Sequence, residues 1–172
     1  MRAIARLVVA AALAGLSGLT FVACTGAPGG PTINNKIGGN ELPPMSPVVS
    51  RDILEREPVA NTAQVKHILI GWKDLADQYG GRIDQRAEKR DKAAAETEIK
   101  SLVGQLRAGG DFDTIMRASS EDVGSASSAR AYTVTPDAQL VIEFRQMALR
   151  LKVGEIGVVE SDFGFHIIKR LE

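Results

Sequence analysis

The chain has 172 residues, 21 Lys plus Arg against 21 Asp plus Glu, and a single cysteine. That length provides one domain with some chain left over, and one cysteine excludes an intramolecular disulfide. Balanced charge with no basic stripe and no aromatic–basic interleaving excludes a nucleic-acid binder.

The chain opens on "MRAIARLVVAAALAGLSGLTFVAC", with Arg2 and Arg6 ahead of an apolar run that is too short for a comfortable membrane span. A basic start, a short apolar stretch and small residues at its end predict an export signal over residues 1–23. The sole cysteine, Cys24, closes that run. Its surroundings resemble the lipobox of bacterial lipoproteins, with Ala23 and Val22 in pattern and Phe21 standing where leucine is usual. The resemblance implies a lipid on Cys24 and attachment to a membrane facing outside the cytoplasm. From there to residue 60 the chain is rich in Gly, Pro and Asn and lacks apolar periodicity, which predicts a flexible tether over residues 24–60. "SRDILEREP" can form a short helical turn inside it.

The folded domain is expected over residues 61–172. "QVKHILI" alternates and is β-branched, so it reads as a strand with Val65, His67 and Leu69 on one face. A long polar connection follows. "KAAAETEIKSLVGQLRAGG" is a helix whose Ile99, Leu102, Val103 and Leu106 form an apolar stripe, stopped by Gly109 and Gly110. Asp111 caps a short helix, "FDTIMRASS", and "ARAYTVT" is strand-like. Thr135 as N-cap and Pro136 in the first turn predict a helix through "DAQLVIEFRQMALRL", with Leu140, Phe144, Met147 and Leu151 inward and Gly154 ending it. "EIGVVES" and "GFHIIKRL" form a terminal antiparallel pair joined through "DFG". No internal repeat occurs. The order is α+β, with helices against a small sheet.

Both histidines of the chain, His67 and His166, fall inside apolar strands. A buried imidazole needs a hydrogen-bond partner. Two readings follow: separate core histidines, each satisfied locally, or one shared polar centre. Two histidines with one acid also allow a metal site, but no supporting ligand pattern accompanies them.

At this point the spacing resembles a known family, the parvulin-type (rotamase, PpiC-like) peptidyl-prolyl cis–trans isomerases. The similarity runs from about Val65 to Leu171. "VKHILI" is similar to the family's opening strand, with its histidine at His67. "DFDTIMRASSEDVGS" resembles the segment that ends in the active-site acid or cysteine, at Asp122. "LVIEF" resembles the start of the proline-pocket helix, with Leu140 and Phe144. "LKVGEIGVVESDFGFHIIK" carries the most specific match, with the second histidine at His166 and a small hydroxyl residue at Ser161.

The resemblance implies a four-stranded antiparallel sheet with surrounding helices, parvulin-like or FKBP-like. It implies His67, Asp122 and His166 as the catalytic group, and Leu140, Phe144, Ser161, Phe163 and Tyr132 as substrate-binding residues. No metal and no cofactor are expected, because X–Pro isomerisation breaks no bond. The expected partners are unfolded or proline-containing polypeptides and, through the lipid, a membrane; the chain is expected to be a monomer. A domain of the same fold with weak or no catalysis, which holds chains as a chaperone or peptide-binding module, is the alternative.

Two departures from the pattern stand out. The family's glycine-rich turn is replaced by "SARAYTV", with no glycine between Ser125 and Gly154 and with Tyr132 where a leucine is usual. Lys73, Arg82 and Arg86 in the long connection could contact an acidic substrate, but acids alternate with them, which favours a solvated polar loop.

Overall fold

The computed structural model describes residues 44–172. The expected export signal, the lipid site Cys24 and the tether up to residue 43 lie outside the described residues.

In chain order the elements are α1 (Arg51–Leu54), β1 (Ala63–Ile70), a 3-10 helix (Lys73–Tyr79), α2 (Gln85–Glu88), α3 (Lys92–Arg107), α4 (Phe112–Ser119), α5 (Val123–Ser128), β2 (Tyr132–Val134), α6 (Ile142–Arg150), β3 (Ile156–Ser161) and β4 (Gly164–Arg170). Each α-helix between β1 and β2 starts on an aspartate. The carboxylates of Asp84, Asp91, Asp111 and Asp122 accept backbone N–H bonds from Arg86, Ala94, Thr114 and Gly124, donors that the first turn otherwise leaves unpaired.

The strands form one antiparallel sheet in the order β2-β1-β4-β3. β3 and β4 make a hairpin in which Ser161 pairs with Gly164 across Asp162 and Phe163. Helices cover both faces of the sheet. Ile68, Ile70, Phe165 and Ile167 pack with Ile99, Leu102 and Leu106 of α3 and Phe112 and Met116 of α4. On the other face Val65, Val159 and Ile168 pack with Phe144 and Met147 of α6. Double coverage explains why β1 and β4 are nearly continuous apolar runs, without clean alternation.

The structure corrects three expectations. First, the folded unit begins at Pro44, not at residue 61. Val49 and Ile53 are core residues, and the Ser46 hydroxyl donates to Glu96 at 2.6 Å. Ser50 N–H donates to the Val158 carbonyl at 2.9 Å, and Val158 N–H donates to Ser50 Oγ at 3.0 Å. The upstream segment thus satisfies part of the β3 edge, whose backbone groups would otherwise be open to pairing with another chain.

Second, the helix expected from Pro136 starts only at Ile142. Thr-Pro-Asp serves a turn instead: Ala138 N–H donates to the Thr135 carbonyl at 3.1 Å, and the Thr135 hydroxyl donates to Asp137 at 2.6 Å. Proline is as well suited to the second position of a turn as to a helix start. α6 then ends at Arg150, with Leu151 extended, and Gly154 (φ 80°) belongs to the turn that follows. Third, "VGSASS" forms the short helix α5, which the sequence reading does not contain.

Candidate functional site

Register brings the two histidines together. His67 stands opposite Ile168, and Leu69 opposite His166, so the imidazoles are diagonal neighbours on one face of the β1–β4 pair. Their Nδ1 atoms lie 3.3 Å apart. Both rings are buried, under the face that packs against α6. The two histidines form one centre.

Asp122 closes one end of that centre. Its Oδ1 caps α5 through Gly124 N–H at 3.0 Å, which fixes the carboxylate. Its Oδ2 lies 2.9 Å from His67 Nε2 and accepts from the Ser125 hydroxyl at 2.6 Å and the Tyr132 hydroxyl at 3.2 Å. The hydrogen bond from His67, followed by that from Ser125, holds the Asp122 carboxyl well below the usual carboxylate range, against the opposing effect of burial. Asp122 is therefore ionised, and His67 Nε2–H donates to it.

Ser161 closes the other end. Its Oγ is 2.8 Å from His166 Nε2 and accepts Phe163 N–H at 3.1 Å. Burial, followed by the neighbouring His67, pushes His166 down to about 3, so its ring is neutral. The contacts form one continuous chain: Phe163 N–H donates to Ser161 Oγ, Ser161 Oγ meets His166 Nε2, the two Nδ1 atoms face each other, and His67 Nε2–H donates to Asp122.

Aromatic edges frame this chain of bonds. Phe144 meets His67 at 5.1 Å and 89°, and His166 at 5.5 Å and 84°. Tyr132 meets His67 at 5.3 Å and 77°. A groove of ≈ 370 Å³ opens above, and His67, His166, Asp122, Tyr132, Leu140 and Phe144 all contribute to it. Phe163 lines it too, beside Tyr79. Ser161, expected to bind substrate, does not line the groove; it is buried behind His166, which it orients. Among the described residues no group of three His, Cys, Asp or Glu is arranged to hold a metal ion.

Several residues escaped the sequence reading. Ser125 is wholly buried, and its hydroxyl also lies 2.8 Å from His67 Nε2. Its position three residues after a capping aspartate, within reach of the same carboxylate, is the signal that could have found it. Tyr79 reaches the groove from a stretch that reads as polar loop, and Glu121 from the residue just before Asp122. Of the three cations there, Arg86 is committed to Asp84 and to the carbonyls of Ala118, Ser119 and Ser120. Lys73 and Arg82 are exposed and do not line the groove.

The chain matches the PPIC-type PPIase domain over residues 51–172, more than two thirds of its length. It belongs to the PPIC-type peptidyl-prolyl isomerase family. The family match starts within α1, ahead of the expected boundary at residue 61. Among relatives, a foldase protein PrsA of Geobacillus kaustophilus is 32% identical over 122 residues, covering 70% of this chain and 43% of that protein. A parvulin-like PPIase of Rickettsia felis is 38% identical over 158 residues, covering 81% of this chain and 56% of that one. The chain thus spans about half the length of these PPIC-type relatives. The peptidyl-prolyl isomerase ESS1 from Candida albicans shares the fold, with a TM-score of 0.54 at 19% identity over 65% of this chain and 63% of its own. The expected four-stranded antiparallel parvulin fold is the observed one.

Proposed function

We propose that this protein accelerates cis–trans isomerisation of X–Pro bonds in unfolded or partly folded polypeptides and so assists their folding. The observation that carries the proposal is the joined pair His67–His166, anchored at both ends and lying beneath a groove with Leu140 and Phe144 in its walls. Rotation about an X–Pro bond crosses a barrier of roughly 18–20 kcal/mol as the amide loses resonance. Nothing covalent has to be made or broken, so the site works by favouring the twisted amide over the planar one. Leu140 and Phe144 grip the prolyl ring, with Tyr132 and Phe163 bordering it. His67 and His166 give the twisted amide a fixed polar surface that needs no reorganisation when charge shifts between its oxygen and nitrogen. Asp122 and Ser161 act through the imidazoles by fixing their tautomers.

A prolyl-peptide isomerisation assay tests this reading. Phe144→Leu is expected to raise KM with a smaller effect on kcat, since the ring supplies grip. His67→Ala is expected to lower kcat by about tenfold or more, as loss of a preorganised polar group does. A wild-type protein that accelerates no prolyl peptide would refute the catalytic reading.

One observation favours a second reading, a binding module with little catalysis. Tyr132 stands where the family has an apolar residue, and its hydroxyl is drawn into the Asp122 cluster. Tight binding of proline-containing peptides without acceleration would select this alternative.

The family match and the PrsA- and parvulin-like relatives support polypeptide clients. The leader-like first residues and the single Cys24 support export and lipid anchoring to a membrane, facing outside the cytoplasm. Cys24→Ala should abolish membrane partition and change electrophoretic mobility; an unchanged mutant would leave no role for the lipid.

A further inference from the structure

The connection from Gly71 to Arg90 reads as solvated polar loop, yet it is pinned at both ends by one carboxylate. Glu121 Oε2 accepts Gly71 N–H at 2.6 Å, and Glu121 Oε1 accepts from Arg90. Arg90 Nη1 also pairs with Glu98 at 2.9 Å, and Lys73 N–H donates to the Arg90 carbonyl at 3.0 Å. Between these pins runs the 3-10 helix Lys73–Tyr79, stopped by Gly80 and Gly81 in left-handed conformation (φ 58° and 78°). Tyr79 is therefore held in place by the closed connection.

Tyr79 meets the tip of the β3–β4 hairpin. Its hydroxyl donates to the Phe163 carbonyl at 2.5 Å, and the two rings stack edge to face at 5.6 Å and 84°. Burial, with the nearby Glu121 and Asp122 charges, pushes the phenol up to about 12, so it remains a donor at any ordinary pH. The tip it touches starts the chain of hydrogen bonds described above, because Phe163 N–H donates to the Ser161 oxygen that orients His166. The tip is also seated on the end of β1: a Cβ at Gly164 (φ 130°) would lie 2.6 Å from the Ile70 carbonyl oxygen.

We infer that Tyr79 is a positioning and specificity-determining residue: it fixes the hairpin tip and, with Phe163, forms the wall that receives an aromatic or large aliphatic side chain adjoining the client proline. This rests on the groove being the prolyl site, and it deepens that reading by naming the sequence context it prefers. The charge pattern points the same way. The only formally charged carboxylate or cationic side chains among the groove-lining residues are Glu121 and Asp122, and both are tied to internal donors. No lysine or arginine lines the groove among the described residues, so an acidic or phosphorylated neighbour of the proline finds no counter-charge. An aromatic neighbour finds two ring edges and the apolar side chains of Leu69 and Val123.

The test uses the full chain and peptides carrying Phe, Leu, Gly or Glu next to proline, on either side, with Tyr79→Phe and Tyr79→Ala. The wild type should prefer Phe and Leu over Glu by about tenfold or more in kcat/KM, the range that one apolar pocket contact supplies. Tyr79→Ala should erase most of that preference through KM. Tyr79→Phe, which keeps the ring and loses the hydroxyl, should retain the preference, lower kcat and shift the His166 ring-nitrogen signal in an NMR spectrum. Should Tyr79→Ala fail to fold, the isosteric Tyr79→Phe decides alone: unchanged kcat and an unchanged His166 signal overturn the inference. An unaltered Phe-over-Glu ratio in folded Tyr79→Ala overturns it as well. If the wild type binds these peptides without turnover, the catalytic reading falls and the same ratios are read in Kd. If it neither binds nor isomerises any of them, both readings fall.

Discussion

His166 gives the fold a pH dependence of defined sign. Burial holds this imidazole at about 3 in the folded protein, against about 6.5 for an exposed histidine. Below about pH 6.5 the unfolded chain takes up a proton there, and the folded chain does not follow until the pH approaches its own lowered value. The unfolded state binds more protons across that window, so stability rises with pH within it. The contribution is fully present above the ordinary histidine value and is lost progressively as the pH falls towards about 3. Its limiting slope is about 1.4 kcal/mol per pH unit, which amounts to about 1.5–2 kcal/mol between roughly pH 6.5 and 5. Asp122 adds a loss of the same sign but lower down. Its folded value is depressed, so its stabilisation is present above the ordinary carboxylate range of about 4 and fades only below it. The assay is urea unfolding of the wild type and His166→Asn at a series of pH values from about 7.5 to 5, spanning the ordinary histidine range. The difference between the two curves cancels the titration of groups outside the His67–Asp122 network and should narrow as the pH falls. Parallel curves with a constant offset would refute the reasoning. They would mean that His166 accepts a proton inside the fold.

Removing residues 44–60 should lower Tm in scanning calorimetry, since burial of Val49 and Ile53 contributes about 1.5–3 kcal/mol each; equal Tm values for 44–172 and 61–172 would show that the segment adds nothing. Glu121→Ala should cost about 1–3 kcal/mol in denaturant unfolding, because it leaves the half-buried Arg90 with Glu98 alone and Gly71 N–H without an acceptor. Ala129 holds a left-handed conformation (φ 52°) where the family carries its glycine-rich turn. Ala129→Gly should therefore raise stability by about 0.5–1 kcal/mol, and a loss of that size would mean that its methyl packing outweighs the backbone strain.

Much of this was legible before any coordinates, for reasons that can be traced to particular residues. His67 and His166 were readable because strand alternation is strict and both sit in apolar runs, so antiparallel pairing of the two strands could bring them to one face. Phe144 was readable because it lies four residues after Leu140 in a recognisable stretch, even though Leu140 proves to precede the helix. The segment at 44–60 was not, because its prolines and polar residues mask the pair Val49 and Ile53, and neither has a periodic partner. Thr135–Pro136 misled because helix start and turn use the same residue types. Tyr79 was invisible for a different reason. What places it is Glu121, fifty residues after Gly71, and no local pattern reports a clamp between residues so far apart.

The Asp122 carboxylate limits what each member of the site can do. Its two oxygens take Gly124 N–H, His67 Nε2–H, the Ser125 hydroxyl and the Tyr132 hydroxyl. Three of these bonds fall on Oδ2, whose acceptor sites are taken, while the Gly124 cap holds Oδ1 in place. In the proposed reaction the carboxylate acts on His67, as a fixed negative charge that holds its Nε2–H. Ser161 likewise acts on His166, enclosed between that ring and Phe163 N–H. In the proposed reaction the imidazole faces and the groove walls are what the client meets. Tyr132 joins the two sets, with its ring in the groove wall and its hydroxyl in the Asp122 cluster. Through Tyr132, the glycine-free stretch that departs from the family pattern adds one more anchor to the acid while the rest of the network keeps its arrangement.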